Sequence, residues 1–304
     1  MQTQSQTIGG IWLPLVTPFR DGELDESSLV RLVAHYRQQP FDGLIVAATT
    51  GEGLTLDEGE VERLVGTVSD ALGGSMPQYL GVSGSDTRRV AAAIGRANRL
   101  PIDGYLVAVP YYTRPKQIGL QQHFETLAGA TERPILIYNI PYRTGVNLEN
   151  DTLLRLAETP NIIGLKDCCA DMAQTFDLLS RRDEGFFVLT GEDALFFGAI
   201  VHGSDGGILA SAHIETAAFA GVRNRLQMGD QAGALQAWKN LASLPRLLFA
   251  EPSPAPIKYW LWRAGLIDSP EVRLPMTEVS TRLAARIDAK FSHRNTDVSA
   301  LEAI

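Results

Sequence analysis

Eight short runs of apolar and β-branched residues, each followed by a segment of helical length, predict an α/β fold: a (β/α)8 TIM barrel with a C-terminal helical extension. Two further observations agree. The 304 residues exceed the roughly 250 of an ordinary barrel, and a 45% hydrophobic composition is enough for one large core. The runs are Ile11 to Leu15, Leu44 to Ala47, Tyr79 to Val82, Tyr105 to Val109, Ile135 to Tyr138, Ile162 to Leu165, Phe187 to Leu189 and Gly207 to Leu209. Their spacing of roughly 20 to 35 residues leaves room for a helix that returns outside the sheet between consecutive parallel strands.

The first helix is expected over Asp25 to Gln38, starting at Ser27/Ser28, with Leu29, Leu32, Val33 and Tyr36 on one face. Val61, Leu64, Val65 and Val68 form a second face, and Leu153, Leu154, Leu156 and Ala157 another before the stop at Pro160. No low-complexity linker divides residues 8–248, which are read as one barrel. Pro252, Pro254 and Pro256 then punctuate the chain, and Ile257 to Leu266 and Glu278 to Phe291 read as added helices of an extension over 249–292. Residues 293–304 are polar and expected to fray.

Lys plus Arg number 27 against 35 Asp plus Glu, a net charge of −8 with no basic run, so a nucleic-acid partner lacks its electrostatic footprint. No stretch reaches the roughly 18 apolar residues of a membrane span, and MQTQSQT lacks the blocks of a signal peptide. A cytoplasmic location is expected. Cys168 and Cys169 are adjacent, which offers no disulfide framework or CxxC motif and reads as two small, partly buried thiols.

Chemistry in a barrel sits at the C-terminal ends of the strands. Lys166 closes the sixth run there, and position alone leaves two readings. It is either a strand-end lysine paired to Asp167 or Asp193, or a partly desolvated amine that loses its proton easily and attacks carbonyls. Run two ends in Thr49-Thr50-Gly51-Glu52-Gly53, whose hydroxyls and free N–H groups can hold a carboxylate or simply connect strand to helix. Run five ends in Tyr138-Asn139-Ile140-Pro141-Tyr142-Arg143. That places a phenol at the mouth, a proton relay or a satisfied core group, and an arginine that is either a solvated charge or a fork for a carboxylate. His35, His123, His202, His213 and His293 show no HExxH or short-spaced pair, so no metal is expected. No strand leads into GxGxxG, and Walker and GxSxG motifs are missing.

Taken in order and spacing, Thr49-Thr50-Gly51-Glu52, Pro110-Tyr111-Tyr112 with Arg114-Pro115, Tyr138-Asn139-Ile140-Pro141, Gly164-Leu165-Lys166-Asp167, Gly191-Glu192-Asp193 and Pro254-Ala255-Pro256-Ile257-Lys258 form one set. Over roughly residues 9 to 292 the chain resembles the dihydrodipicolinate synthase and N-acetylneuraminate lyase superfamily of pyruvate-dependent class I aldolases. The resemblance implies a Schiff base between Lys166 and pyruvate, with Tyr138 shuttling protons through Thr49 and Tyr112. It assigns the pyruvate carboxylate to Thr50, beside Gly51, and the pocket lining to Gly191 and Ile208. Tyr112 then comes from a neighbouring subunit of a homotetramer built from tight dimers, and no cofactor is needed. Arg143 followed by Thr144-Gly145 resembles the dihydrodipicolinate synthases, which implies condensation of pyruvate with L-aspartate 4-semialdehyde, the committed step toward lysine.

The chain departs from the family pattern at Tyr142, where a smaller residue is usual, at Ala48 and Val109, and at Cys168-Cys169. The same imine on another 2-keto acid or an imino acid, in a paralogous aldolase, dehydratase or deaminase, is the alternative. A catalytically idle binding subunit is the remote one, and the intact Lys166, Tyr138, Thr49 and Tyr112 set argues against it. By the same resemblance the regulatory lysine pocket of inhibited relatives is altered: Glu58, Asp86 and Val90 replace its histidine, asparagine and glutamate, and Tyr111 is kept. Feedback by free lysine is therefore not expected.

Overall fold

The structure, a computed structural model, describes residues 8–301, with side chains described through residue 292. Ten strands occur in chain order: β1 (Gly10–Pro14), β2 (Phe19–Arg20), β3 (Glu23–Leu24), β4 (Gly43–Val46), β5 (Gln78–Val82), β6 (Gly104–Ala108), β7 (Ile135–Asn139), β8 (Ile162–Asp167), β9 (Phe187–Thr190) and β10 (Gly206–Ile208). Eight of them close a parallel barrel in the order β1-β10-β9-β8-β7-β6-β5-β4. Each coincides with an expected run to within one or two residues. The antiparallel pair β2 and β3, with Phe19 opposite Leu24, was not expected, because two residues per strand are too few to show a period.

Alternation along each strand divides the buried residues into two sets. Trp12, Ile45, Tyr79, Leu106, Leu136, Tyr138, Leu189 and Ile208 fill the barrel, while Leu13, Leu44, Tyr105, Ile137, Leu165 and Val188 pack outward among the helices. Both faces are covered, which is why the strands read as continuous apolar runs. One irregularity matters for the site. Ile135 pairs with Ile162 but Leu136 pairs with Gly164, so β8 carries one extra residue, Ile163. After it, Leu165 lies beside the outward Ile137 and Lys166 beside the inward Tyr138.

The first helix is Glu26–Tyr36 and its cap is Asp25, whose Oδ1 accepts from the Ser28 N–H at 3.0 Å. The expected start at Ser27/Ser28 is thus corrected: Ser28 lies inside the helix, its hydroxyl donating back to Asp25 Oδ2 at 2.6 Å. The next helix, Glu58–Leu72, opens on a full capping box between Asp57 and Glu60 and buries Leu64, Val65 and Val68. In the extension the helices are Ala255–Arg263 and Thr281–Leu301, the second starting after Ser280, which Glu251 holds through its backbone N–H. That helix carries backbone through most of the stretch expected to fray, and residues 302–304 lie outside the described residues. Among the described residues no helix is long and apolar enough to cross a membrane.

Candidate active site

Lys166 is 5% exposed near the end of β8, its Nζ 4.2 Å from the centroid of the Tyr138 ring. The next strand makes room for it. A Cβ on Gly191 would meet Lys166 Cε at 2.5 Å and Cys168 Sγ at 2.3 Å, so only glycine lets the lysine stem pass. The two carboxylates nearest Lys166 in the sequence reading are engaged elsewhere: Asp167 Oδ2 accepts from Thr175 Oγ1 at 2.5 Å, and Asp193 Oδ2 from the Ser211 N–H at 2.5 Å. The paired-lysine reading is therefore not what the structure contains. Burial pushes the Lys166 amine below the ordinary lysine value, with Asp193 and Glu192 nearby pulling the other way.

Tyr138 is 6% exposed, its phenol raised by burial, with the nearby Thr49 side chain pulling slightly the other way. It is therefore a protonated donor. Asn139, the next residue, turns outward and fixes the following loop, donating to Asn147 Oδ1 at 2.9 Å and accepting from the Leu148 N–H at 3.1 Å. Pro141 then starts the single turn Pro141–Thr144 that carries Tyr142 and Arg143, both exposed, with the guanidinium 5.9 Å from the Tyr142 ring centre. Arg143 and Thr49 line one cavity of about 390 Å³; Lys166 is not part of its wall.

The turn after β4 places Thr49 exposed and Thr50 buried. Gly51 is packed too closely for a side chain, since a Cβ would stand 2.8 Å from the Leu15 carbonyl, and its own carbonyl accepts from Thr17 Oγ1 at 2.7 Å. Ile208 ends β10 among the inward residues, 1% exposed.

Tyr112 is not brought into this cluster within the chain. It is 90% exposed and holds a left-handed backbone (φ 71°), with its N–H donating to the Thr144 carbonyl at 3.1 Å. Cys168 is buried and burial raises its thiol far above the ordinary value, while the half-buried Cys169 is pushed up to about 12, which favours the protonated thiol at both. Sequence reasoning did not single out Glu192 as a site residue. Its carboxyl is raised by burial, near Lys166, Cys168 and Tyr142, and Oε1 is buried without a hydrogen-bond partner. Its place just past the end of β9 was the available signal.

A parallel barrel whose strand ends gather a dehydrated amine, a phenol and a hydroxyl-rich turn defines a class: enzymes that work on carbonyl compounds through a lysine. The chain belongs to the dihydrodipicolinate synthetase family, whose model matches residues 7–293. It is 42% identical over 281 residues to 4-hydroxy-tetrahydrodipicolinate synthase 2 of Clostridium acetobutylicum, covering 92% of this chain and 98% of that one. Among solved structures, dihydrodipicolinate synthase from Aquifex aeolicus superposes with a TM-score of 0.91 at 32% identity, covering 95% of this chain and 98% of that one. The 4-hydroxy-tetrahydrodipicolinate synthase of Methylacidiphilum fumariolicum SolV superposes at 0.92 with 29% identity, covering 98% and 99%.

Proposed function

We propose that this enzyme condenses pyruvate with L-aspartate 4-semialdehyde through an imine on Lys166, as a 4-hydroxy-tetrahydrodipicolinate synthase. The observation that carries the reading is Lys166 itself: buried, its amine lowered by burial, and in register with Tyr138, whose phenol has the Thr49 side chain nearby. The neutral amine adds to C2 of pyruvate and water leaves, giving a protonated imine that withdraws electrons from C3. Loss of a C3 proton gives the enamine, which forms the new carbon–carbon bond at the aldehyde. Tyr138 and Thr49 supply and recover the protons, and Tyr112 of a second copy completes the relay. Thr50 and Gly51 hold the pyruvate carboxylate, Gly191 and Ile208 line its pocket, and Arg143 grips the carboxylate of the aldehyde.

The 90% exposure of Tyr112 at a constrained backbone supports a role across an interface between two copies, which the resemblance extends to a homotetramer. Tyr142 beside Glu192 favours a second reading, the same imine acting on another 2-keto acid or aldehyde, because a bulky phenol and a raised carboxyl reshape that side of the site. Borohydride reduction with pyruvate tests the first step. A reduced adduct located on Lys166 by mass spectrometry supports it, and an unmodified Lys166 rejects it. A panel of aldehydes with pyruvate separates the two substrate readings.

A further inference from the structure

Two residues past Thr50 the backbone passes through the left-handed region at Glu52 (φ 53°), a conformation a non-glycine residue keeps only where its surroundings over-determine it. What holds it comes from the far end of the chain. Lys258, 0% exposed, donates to Glu52 Oε1 at 2.5 Å and to the Glu271 carbonyl at 2.7 Å. The Arg273 N–H donates to Glu52 Oε2 at 2.9 Å. The Arg273 guanidinium takes both oxygens of Glu60, at 2.5 and 2.7 Å, and the Thr55 carbonyl at 3.1 Å. Both cations lie over the Phe19 ring, Lys258 Nζ at 4.3 Å and Arg273 Cζ at 4.2 Å from its centre.

The turn from Glu52 to Glu60 is therefore clamped by the segment from Lys258 to Arg273. A buried ion pair is a weak source of stability, because desolvating both charges offsets most of their attraction, and well-packed apolar residues do as well. Its distinctive property is direction: two oxygens on one carboxylate, each bonded to a different part of the extension, leave Glu52 one orientation. Gly51 beside it has no room for a side chain against the Leu15 carbonyl, and its own carbonyl is held by Thr17 Oγ1 at 2.7 Å. We propose that Lys258 is a positioning residue: through the Glu52 carboxylate it fixes the Thr50-Gly51 turn as the seat of the substrate carboxylate. This rests on the reading that Thr50 and Gly51 hold the carboxylate of pyruvate.

The experiment compares borohydride trapping on Lys166 with pyruvate and with pyruvamide, which presents the same ketone without the charge. Lys258→Met alone leaves Glu52 buried and unpaired, so the Lys258→Met/Glu52→Gln double variant carries the test, with Glu52→Gln as a milder companion and thermal melting as the folding check. The half-saturating pyruvate concentration should rise about tenfold, since a small misplacement of a binding group is enough for that, while pyruvamide stays within about twofold. A defect in the barrel as a whole would move both probes together. Thr50→Val is the control: a loss confined to pyruvate supports the seat itself. If Thr50→Val discriminates and the folded double and single variants do not, Lys258 has no positioning role. If Thr50→Val moves both probes equally or neither, the seat reading fails and the proposal falls with it.

Discussion

Lys166 and Lys258 are both buried and both lie over an aromatic ring, 4.2 Å from the centre of Tyr138 and 4.3 Å from that of Phe19. They differ in what else they touch. Lys258 donates to the Glu52 carboxylate at 2.5 Å, whereas Asp167 and Asp193, the two carboxylates that the sequence offers as partners for Lys166, bond to Thr175 and Ser211 instead. Burial lowers both amines, that of Lys258 to about 8. A buried lysine with a committed carboxylate is a strut between two segments, and one without is an amine free to meet a carbonyl. On the proposed reading the same residue type serves two ends, set by partners that lie far apart in the chain.

The largest test of that contrast removes each lysine in turn. Lys166→Ala should lower kcat on the order of 10⁴-fold or more, as loss of a nucleophile does, while leaving the unfolding midpoint in urea close to wild type. Lys258→Met should do the reverse in kind: an unpaired buried Glu52 costs about 3 to 5 kcal/mol of stability, read as a lower urea midpoint at unchanged slope. A Lys258→Met protein as stable as wild type would break the comparison.

Arg143→Ala is next in size. Charge-assisted bonds to a carboxylate are worth roughly 1.5 to 3 kcal/mol, so kcat/KM for the aldehyde should fall by about one to two decades with KM for pyruvate little changed. Equal losses for both substrates would return Arg143 to an ordinary surface charge.

Titration sharpens the contrast further. The free amine is the nucleophile, so the rate of imine trapping on Lys166 should rise with pH and level off below the ordinary lysine value of 10.5, because burial lowers it. A rate still climbing at 10.5 would refute the depressed amine. For Lys258 the effect falls on stability. Between about 8 and 10.5 the unfolded chain holds the extra proton, so stability should gain with pH there relative to the Glu52→Gln/Lys258→Met double variant.

The smallest expected effect is none. Free lysine titrated to millimolar levels should not inhibit condensation. Glu58 is already paired to Arg96 at 2.5 Å, Asp86 caps the helix Thr87–Ala97 through the Arg88 and Arg89 N–H groups, and Val90 is buried. Inhibition that Tyr111→Ala abolishes would show that the pocket survives.

Much of this was legible in order along the chain. The eight strands announce themselves because strands buried on both faces must be apolar throughout, and Lys166 stands out by breaking such a run at its C-terminal end. Thr49 and Tyr138 are readable by the same rule, and the structure brings the Thr49 side chain near the Tyr138 phenol. Glu192 was passed over because a carboxylate after a strand looks like any solvated loop charge until burial is known. The helix start was misread at Ser27/Ser28 because serine and aspartate cap equally well, and only backbone geometry chooses Asp25. Neither β2 and β3 nor the Lys258 clamp on Glu52 had a local signal, since the clamp joins residues 206 positions apart.

The barrel, its strand ends and the residue types collected there follow from residue order alone, because burial and alternation are local consequences of which side chains are apolar. Residue order did not determine which way Lys166 faces. Simple alternation from Ile162, which packs outward, would turn Lys166 outward too, among the helices. The extra residue at Ile163 shifts the register by one and brings Lys166 beside Tyr138 inside the barrel. That shift depends on how β8 pairs with β7, a contact between segments some distance apart in the chain, so tertiary structure alone decided it.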